Sequence, residues 1–320
     1  MTTYVERLAL VRAALKQNRI DAYIIPLADP HLGENISDHW KIVPWLSGFT
    51  GSSATIVITD SFAGLWTDSR YFIQAEKQLA VSGFILMKPI AFTPSGYIDW
   101  LDENIPDGST IAFDGRIFSI AGFRKLEKCL KNKKIIFKND CDLIGDLWSD
   151  RPLMPSSEAW DHPVEYSGRE RSFKMAEVRK EMKKNGVDLH LLTSVDDIMW
   201  LLNIRGNDLT YTPICISFAI IDEAQILLFV DDSKIPQHLA SEFDRLGIVM
   251  LPYEETAGMI SSLTEATSIL INPSTTSVAL YNSIPSEFRI VEDISIPAQM
   301  KAKKNKTEIE NISRVMIKDG

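Results

Sequence analysis

The side chains best able to bind a metal ion are concentrated in one stretch near the N-terminus. Its acidic and histidine residues are Asp29, His31, Glu34, Asp38 and His39. His31 and Glu34 have the HxxE spacing found in some metal sites, but a proline and a glycine interrupt the stretch and predict a loop. Because metal ligands are usually fixed on rigid elements, we interpret these residues as solvated loop groups and predict no metal site here.

The remaining histidines and the cysteines form no reactive constellation in the sequence. His162, His190 and His238 lie far apart, and we interpret each as a surface or partly buried structural residue. The three cysteines show no CxxC spacing, which favours free thiols in a reducing cytosol. We therefore assign no chemical role to either residue type.

A glycine-rich loop, GFTGSS at residues 48–53, precedes a predicted strand. A phosphate-binding loop would instead lie between a strand and a helix N-terminus, and neither GxxxxGK[ST] nor GxGxxG occurs in the chain. The serines of the loop have no visible histidine and aspartate partners, and there is no GxSxG elbow. A nucleotide-binding loop and a serine hydrolase are both disfavoured.

Two loops carry arginines that could bind a carboxylate or a peptide carbonyl. In the first, WTDSRY, Asp68 is predicted to cap a helix N-terminus and Arg70 lies beside that turn. An ion pair within the domain is the alternative for Arg70, and the residue types alone favour it. In the second loop, NIRGND, Arg205 and Asp208 flank a glycine, as is typical of a turn at an interface.

The elements that must position these loops alternate between helix and strand. Apolar residues at i, i+3 and i+7 predict a helix over 4–18, and a short run of β-formers before a proline predicts a strand over 21–25. The same criteria predict a hairpin of 53–59 and 62–66, helices over 72–79, 96–103 and 120–132, and strands over 84–87, 110–113 and 134–137. This alternation predicts an α/β layer.

The chain also repeats itself. Residues 11–21 (VRAALKQNRID) match residues 178–188 (VRKEMKKNGVD) at an offset of 167. Two further matches keep the same order, DSR at 68–70 with DSK at 232–234 (offset 164) and 110–114 with 268–272 (offset 158). Preserved order with slowly changing offsets indicates two copies of one domain.

The second copy is predicted from the same patterns. Its elements are helices over 168–185 and 195–202 and strands over 188–192, 214–220 and 225–230. A proline-rich stretch, RPLMPSS, separates the two copies and places their boundary near residue 157. The expected domains are therefore residues 1–157 and 158–300.

Residues 301–320 differ from the rest of the chain. They hold six cations and three anions, whereas the whole chain has a net charge of -9. A polar connector over 301–306 is followed by Ile309, Ile312 and Met316 at helical spacing. Because nothing that follows could cover this apolar face, we expect these residues to begin a third domain of a longer polypeptide.

Composition excludes several classes of protein. A length of 320 residues predicts about two domains. The net negative charge argues against general nucleic-acid binding. The longest uninterrupted apolar runs have five residues, whereas a membrane-spanning helix needs about 20. We therefore expect neither nucleic acid nor membrane as a partner.

Four segments resemble motifs of the cytosolic Xaa-Pro aminopeptidases, also called aminopeptidase P. In chain order they are PWLSGFTGS (44–52), WTDSRYF (66–72), WLLNIRGND (200–208) and KAKKNKTE (301–308). The resemblance covers nearly the whole chain. It implies two tandem creatinase N-terminal-like α/β domains, each a mixed sheet flanked by helices, followed by a pita-bread catalytic domain that begins in 301–320.

The resemblance also implies an activity. The full protein would be a metallo-aminopeptidase, a hydrolase that removes the N-terminal residue before proline and uses two manganese ions. Those ions would be held by two Asp, one His and two Glu of the following domain, so no catalytic or metal-ligating residue is expected here and this chain alone should be inactive. The implied setting is a cytoplasmic homodimer that acts on peptides with proline at the second position.

Three residues are implied as substrate-binding. Arg70 matches a family arginine that reaches toward the peptide, although Ser69 replaces the usual glycine and could alter the turn. Arg205 and Asp208 match an RGxD motif that faces the catalytic domain, where an interdomain structural role is the alternative.

Two other functions remain open at this stage. The parent protein could be a catalytically inactive relative whose paired domains serve as a dimerisation or peptide-binding module. It could also be a prolidase-like dipeptidase or another pita-bread enzyme, although the set of motifs disfavours this.

Overall fold

A computed structural model of the chain describes residues 2–88, 96–264 and 267–320. The chain divides into two compact units between Met154 and Pro155, with Ser277–Ala279 grouped with the first unit. Each unit contains a six-stranded sheet with helices. Within the described ranges, no helix combines the length and the apolar character needed to cross a membrane.

Helices and strands alternate in the first unit, as the apolar spacing predicts. Its elements are α1 (Tyr4–Asn18), β1 (Ala22–Pro26), α2 (Ile42–Ser47), β2 (Thr55–Ile58), β3 (Ala63–Trp66), α3 (Phe72–Leu79), β4 (Ile85–Met87), α4 (Gly96–Asn104), β5 (Thr110–Phe113), α5 (Ile120–Leu130) and β6 (Ile136–Lys138). Thr3 and Glu6 form a capping box that begins α1, and its Leu8, Val11 and Leu15 are buried against the sheet core. The predicted elements of this unit are all present, with small shifts at their ends.

The second unit repeats that order and adds short elements. They are β7 (Trp160–Asp161), α6 (Val164–Ser167), α7 (Arg171–Lys184), β8 (Leu189–Leu192), α8 (Val195–Leu202), β9 (Ile204–Arg205), β10 (Phe218–Ile221), β11 (Ile226–Phe229), α9 (Gln237–Arg245), β12 (Ile248–Leu251), α10 (Thr256–Ser261), β13 (Ser268–Ile271), α11 (Val278–Asn282), β14 (Arg289–Glu292), α12 (Ile296–Ala302) and α13 (Lys306–Asp319). α13 is the helix predicted after the polar connector.

The two sheets have the same topology. The strand orders are β4-β3-β2-β1-β5-β6 and β12-β11-β10-β8-β13-β14. In each sheet three successive strands are antiparallel (β1, β2, β3 and β8, β10, β11). The outer strands then add in parallel on both sides. The two sheets have identical strand order and identical strand directions, which confirms the internal repeat and the mixed-sheet fold.

Three side-chain contacts recur at equivalent places in the two units. α1 and α7 each carry an arginine whose Nε donates to a carbonyl in the hairpin turn. Each of these helices also has a cation over a tryptophan ring. β1 and β8 are each preceded by an aspartate that accepts from a backbone N–H. The pairs are Arg12–Thr59 (3.2 Å) and Arg179–Asp222 (2.9 Å), Asp21–Thr110 (2.7 Å) and Asp188–Thr267 (2.9 Å), and Arg7–Trp45 (4.9 Å) and Lys174–Trp200 (4.3 Å). Shared contacts of this kind are expected when one domain has been duplicated.

The structure corrects three details of the sequence prediction. Asp68 and Asp231, an offset of 163, are the equivalent caps of a 3₁₀ turn, so the match of Asp68 to Asp232 was wrong by one residue. The strand predicted over 214–220 begins only at Phe218. The connector is shorter than predicted, because α12 extends to Ala302; Ser295 caps this helix and Pro297 lies in its first turn, where proline is tolerated.

Candidate functional site

Arg70 lies in a 3₁₀ turn that follows β3. Asp68 caps this turn by accepting from the Arg70 backbone N–H (3.0 Å). The guanidinium of Arg70 also donates twice to the same carboxylate, at 2.9 Å from Nε and 2.9 Å from Nη2. The predicted ion pair within the domain is therefore present, and it lowers the pKa of Asp68.

The pair with Asp68 does not bury Arg70. Its side chain is 70% exposed, and its guanidinium lies over the Tyr71 ring at 5.3 Å from the centroid. The phenol of Tyr71 in turn shares a hydrogen bond of 2.7 Å with Ser52. An arginine has five N–H donors, of which this pairing uses two, so the guanidinium retains donors that face solvent.

Arg205 lies at the end of the two-residue strand β9. Its Nη1 donates to the carbonyl of Ile204 (2.8 Å) and to that of Met199 (3.1 Å). Burial lowers the pKa of Arg205, and the nearby charge of Asp196 opposes that shift. The side chain is thus held against the backbone of α8 and β9.

Asp208 is buried and holds a loop together. Its Oδ2 accepts from the Lys234 ammonium (2.5 Å) and from the Ile216 backbone N–H (2.6 Å). Its Oδ1 is buried and, among the described residues, has no hydrogen-bond partner. Arg205 and Asp208 are close in sequence, but the structure gives each its own partners and forms no ion pair between them in the described chain.

The acidic and histidine residues between Asp29 and His39 do not come together as a ligand group in the described part of the chain. No three His, Cys, Asp or Glu side chains among residues 2–88, 96–264 and 267–320 are grouped so that they could hold a metal ion. Asp38 pairs with Lys41 at 2.6 Å, and the ring of His39 lies 2.7 Å from the Pro152 carbonyl. The residues therefore offer no fit for a metal centre.

Two members of that stretch are not solvated, which corrects the prediction. Asp29 and His31 are each 3% exposed. Asp29 accepts from the His31 backbone N–H at 3.0 Å, so the carboxylate orders the loop that follows β1. Burial raises the pKa of Asp29.

The three later histidines have different environments. His190 is fully buried, with Nδ1 at 3.2 Å from the Leu270 carbonyl and Nε2 accepting from the Ile296 N–H at 3.2 Å. Burial lowers its pKa to about 4. His162 is half-buried, and burial together with the charge of Arg205 lowers its pKa to about 4 as well. His238 is exposed and lies 3.6 Å from Asp161.

Sequence reasoning missed a buried network that begins at Lys174 on α7. Lys174 is 1% exposed, and its ammonium donates to the Trp200 carbonyl (2.8 Å) and to the Asn203 side chain (2.7 Å). Burial lowers the pKa of Lys174 to about 8. The signal that could have found it is the internal repeat, because Lys174 occupies the position of Arg7 at the offset of 167.

The same network attaches α13 to the second unit. The Trp200 indole donates to Glu308 Oε1 at 3.3 Å. Glu308 also forms a capping box with Asn305, which begins α13. The Asn305 amide donates to the Ser167 carbonyl at 2.9 Å. The N-terminus of α13 is therefore held by hydrogen bonds from two directions.

The outer face of α13 has a different character. Several of its apolar side chains are about half or more exposed, namely Ile309, Ile312, Val315, Met316 and Ile317. No residue of this helix is buried. A run of exposed large apolar side chains on one helix is typical of a surface that packs against another structural element.

Comparison with known sequences identifies similar proteins along the whole chain. Models of the creatinase/prolidase N-terminal domain match residues 7–138 and residues 150–308. Xaa-Pro aminopeptidase 1 of Dictyostelium discoideum is 32% identical over 319 residues, which are 97% of this chain and 50% of that protein. A probable Xaa-Pro aminopeptidase P of Talaromyces marneffei is 33% identical over 329 residues, 98% of this chain and 49% of that protein.

A solved structure is also similar to this chain over nearly its whole length. The X-prolyl aminopeptidase of Caenorhabditis elegans, described as a cytosolic enzyme with a di-nuclear active site, matches with a TM-score of 0.90 and 31% identity. The match covers 97% of this chain and 53% of that one. This chain thus spans about half the length of the relatives it matches.

Proposed function

We propose that this chain positions a peptidase domain and shapes the access of peptides to it. The chain belongs to the aminopeptidase P family and forms the N-terminal part of such a protein. The full protein would then be a hydrolase that removes the N-terminal residue of peptides that have proline at the second position. A dedicated enzyme is needed for this bond because the amide of proline is tertiary, lacks an N–H and is restricted in geometry.

The observation that carries this proposal is the attachment of α13. Its N-terminus is held by Trp200 and Ser167, whereas its outer apolar face remains exposed. Such a helix can transmit a fixed orientation to whatever packs on that face. We propose that residues 301–320 begin a third domain, after domains of residues 1–157 and 158–300, and that this third domain carries the catalysis.

Arg70 is the residue we propose as a peptide contact. Asp68 holds the guanidinium in one orientation through two hydrogen bonds of 2.9 Å, and the remaining donors face solvent. An oriented guanidinium binds a carboxylate or carbonyl at a lower entropic cost than a free one does. Asp68 is on this view a positioning residue.

Arg205 and Asp208 support the same function in another way. Their contacts are with the backbone and with Lys234, so we propose that they shape the loop that connects β9 with β10. These two residues would therefore affect peptide binding indirectly, through the position of that loop.

The proposal also covers the metal ions, the location and the oligomeric state of the full protein. The resemblance implies two manganese ions held by the third domain; among the described residues of this chain no three His, Cys, Asp or Glu side chains are grouped as ligands. The relative from Caenorhabditis elegans is described as cytosolic and di-nuclear, which supports the same setting here. We also propose a homodimer, on the resemblance alone.

The test compares this 320-residue chain with the longer protein. Both are stripped of metal, loaded with manganese and given an X-Pro-Pro peptide. The longer protein should release the first residue and this chain should not. Turnover by this chain at a rate near that of the longer protein would contradict the proposal, and inactivity of a folded, loaded longer protein would favour the inactive relative.

A second assay separates the aminopeptidase from a prolidase-like enzyme. The longer protein is given Xaa-Pro dipeptides and Xaa-Pro-Pro peptides at equal concentration. The proposal expects a higher kcat/KM for the longer peptides. A preference for the dipeptides would favour the prolidase-like alternative.

A further inference from the structure

The first unit has a cleft of about 940 Å³ whose lining residues do not include Asp68, Arg70 or Tyr71. It is formed by the C-terminal end of α1, the turn between β2 and β3, and the C-terminal end of α4. Its volume is within the range of small-molecule sites. Its wall combines three cations with two aromatic rings, namely Arg12, Lys16, Arg19, Phe62 and Trp100.

The three cations have no ion-pair partner in the described ranges. Arg12 is oriented by the bond from its Nε to the Thr59 carbonyl (3.2 Å), which leaves its other guanidinium nitrogens for a ligand. Two aspartates also line the cleft, Asp21 and Asp60, and the first accepts from the Thr110 N–H at 2.7 Å. Cations are thus in excess here, although the chain as a whole carries -9.

The backbone at Arg19 is unfavourable for an arginine. Arg19 ends α1 with φ of 54°, in the left-handed region where a side chain with a Cβ is disfavoured. The equivalent residue of the second unit, at the offset of 167, is Gly186 with φ of 61°. The fold therefore works with glycine at this position, and the first unit carries a strained cation instead. The left-handed conformation is itself a common helix C-cap and also ends α8 at Asn203, so the relevant observation is that a cation replaces glycine here.

The second unit has no counterpart of the two aromatic rings of the cleft. Phe62 and Trp100 stack with their centroids 4.0 Å apart and their planes at 17°. The hairpin offset of 163 places Gln225 at the position of Phe62, and α10, with the sequence TAGMIS, has no aromatic residue. The second unit thus has the same fold without Arg19, Phe62 or Trp100. In the first unit both rings also contact Trp66 of β3, at 6.0 Å between centroids in each case, so the pair has a packing role as well as a face toward the cleft.

We propose that this cleft binds a phosphate monoester that also carries a planar ring, as a nucleoside monophosphate does through its sugar. A phosphate monoester carries a charge of about -1.5 to -2 at neutral pH, which suits two guanidinium forks and one ammonium. The planar ring would lie against the aromatic pair. Recognition would rest on side-chain cations, so it requires no glycine-rich phosphate loop. The proposal does not depend on the peptidase function.

Calorimetric titration of the 320-residue chain with AMP tests the proposal, with adenosine and inorganic phosphate as partial probes. AMP should bind with one site per chain and at least tenfold more tightly than either partial probe. Raising the sodium chloride concentration from 50 to 300 mM should weaken the binding of AMP, because screening acts on the charged contacts. Tryptophan fluorescence should change with the same saturation curve.

Two substitutions locate the site. Arg19→Gly and Lys16→Ala should each weaken AMP binding about tenfold, as expected for the loss of one charge-assisted contact. Lys183→Ala, at the position equivalent to Lys16 in the second unit, is the matched control and should leave binding unchanged. Arg19→Gly takes the residue that the second unit already has, and its thermal midpoint should not fall.

Three results would overturn the proposal. The first is the absence of saturable AMP binding up to millimolar concentration. The second is AMP binding that is no tighter than that of phosphate or adenosine. The third is equal AMP affinity for the wild type, Arg19→Gly and Lys16→Ala, since binding would then occur elsewhere.

Discussion

Asp208 and Lys234 form an ion pair of 2.5 Å in which the side chains are 0% and 2% exposed. The two residues are separated by 26 positions in the chain, and their contact closes the segment between β9 and the turn after β11. A charge buried in this way is tolerated only while its partner is present.

Breaking this pair from one side should therefore be costly. Asp208→Asn or Lys234→Met should each lower the free energy of unfolding by about 3–5 kcal/mol, because each leaves an unpaired buried group. The double variant should be less destabilised than the sum of the two. Urea unfolding of all four proteins measures this coupling.

A matched control is the exposed pair of Asp38 and Lys41, which has a similar distance of 2.6 Å. Lys41→Ala should change the free energy of unfolding by less than about 1 kcal/mol, since solvent screens exposed pairs. Equal losses at Lys41 and Lys234 would contradict the role given to burial.

The bond from Trp200 to Glu308 should determine how firmly α13 is held. Trp200→Phe removes the indole N–H but retains a ring beside Lys174. We expect faster amide hydrogen exchange in Lys306–Asp319, with protection of β8 and β13 unchanged. Mass spectrometry of peptic fragments gives both readouts from one experiment.

Glu310→Gln serves as the control for that experiment, because Glu310 lies 3.8 Å from Lys306 on an exposed surface. Exchange in α13 should remain as in the wild type. If Trp200→Phe also left the exchange of α13 unchanged, the hydrogen bond would not be the attachment we describe.

His190 should make stability depend on pH below neutrality. Its pKa is lowered by burial to about 4 from an ordinary value of 6.5, so the unfolded chain takes up the proton first as the pH falls. The contribution to stability is complete above about pH 6.5 and is lost between that pH and about 4, with a limiting slope of about 1.4 kcal/mol per pH unit. His162 shifts in the same direction and adds to the slope.

Urea unfolding of the wild type and His190→Gln at several pH values between 4.5 and 7.5 checks this. The variant should show a shallower loss of stability on acidification. His238→Gln should retain the wild-type slope, because His238 is 66% exposed. A slope that is unaltered in His190→Gln would mean that other groups govern acid sensitivity.

Arg70 should matter to peptide turnover and little to folding. In the longer protein, Arg70→Ala should lower kcat/KM for an X-Pro-Pro peptide at least tenfold, because it removes an oriented charge-assisted contact. Arg70→Lys should recover only part of the loss, since an ammonium lacks the planar fork. Thermal midpoints should be within a few degrees of the wild type, as the side chain is 70% exposed.

Unchanged kcat/KM in Arg70→Ala would remove Arg70 from the proposed peptide contacts. Lys16→Ala, on α1 in the cleft of the first unit, is a useful comparison because the proposed function gives Lys16 no part in peptide binding.

Much of the fold could be predicted from local patterns. The spacing of Leu8, Val11 and Leu15 predicts α1, and the match of residues 11–21 with 178–188 predicts a second copy of the same domain. Such signals are readable because a helix face and a repeat involve residues at short or constant separations. The equivalent caps were misaligned by one residue, because short polar turns of similar composition match at more than one register.

The candidate site was predicted less completely. Arg70 and its alternative ion pair with Asp68 could both be inferred, because the two residues are two positions apart. Asp29 and His31 were expected in solvent and are buried, and Lys174 was not singled out at all. Their environments depend on residues that are remote along the chain, such as Trp200 and Asn203 for Lys174.

The amino-acid sequence by itself determined the helices and strands, the duplication and the family to which this chain belongs, since each of these is written in residue types at regular spacing. Only the tertiary structure decided which charges are buried and paired, as for Asp208 with Lys234, and which remain open, as for Arg70 and the cations of the cleft. The physical reason is that burial and pairing are set by the packing of distant segments, and the energy of a charge depends on that packing far more than on its neighbours in sequence.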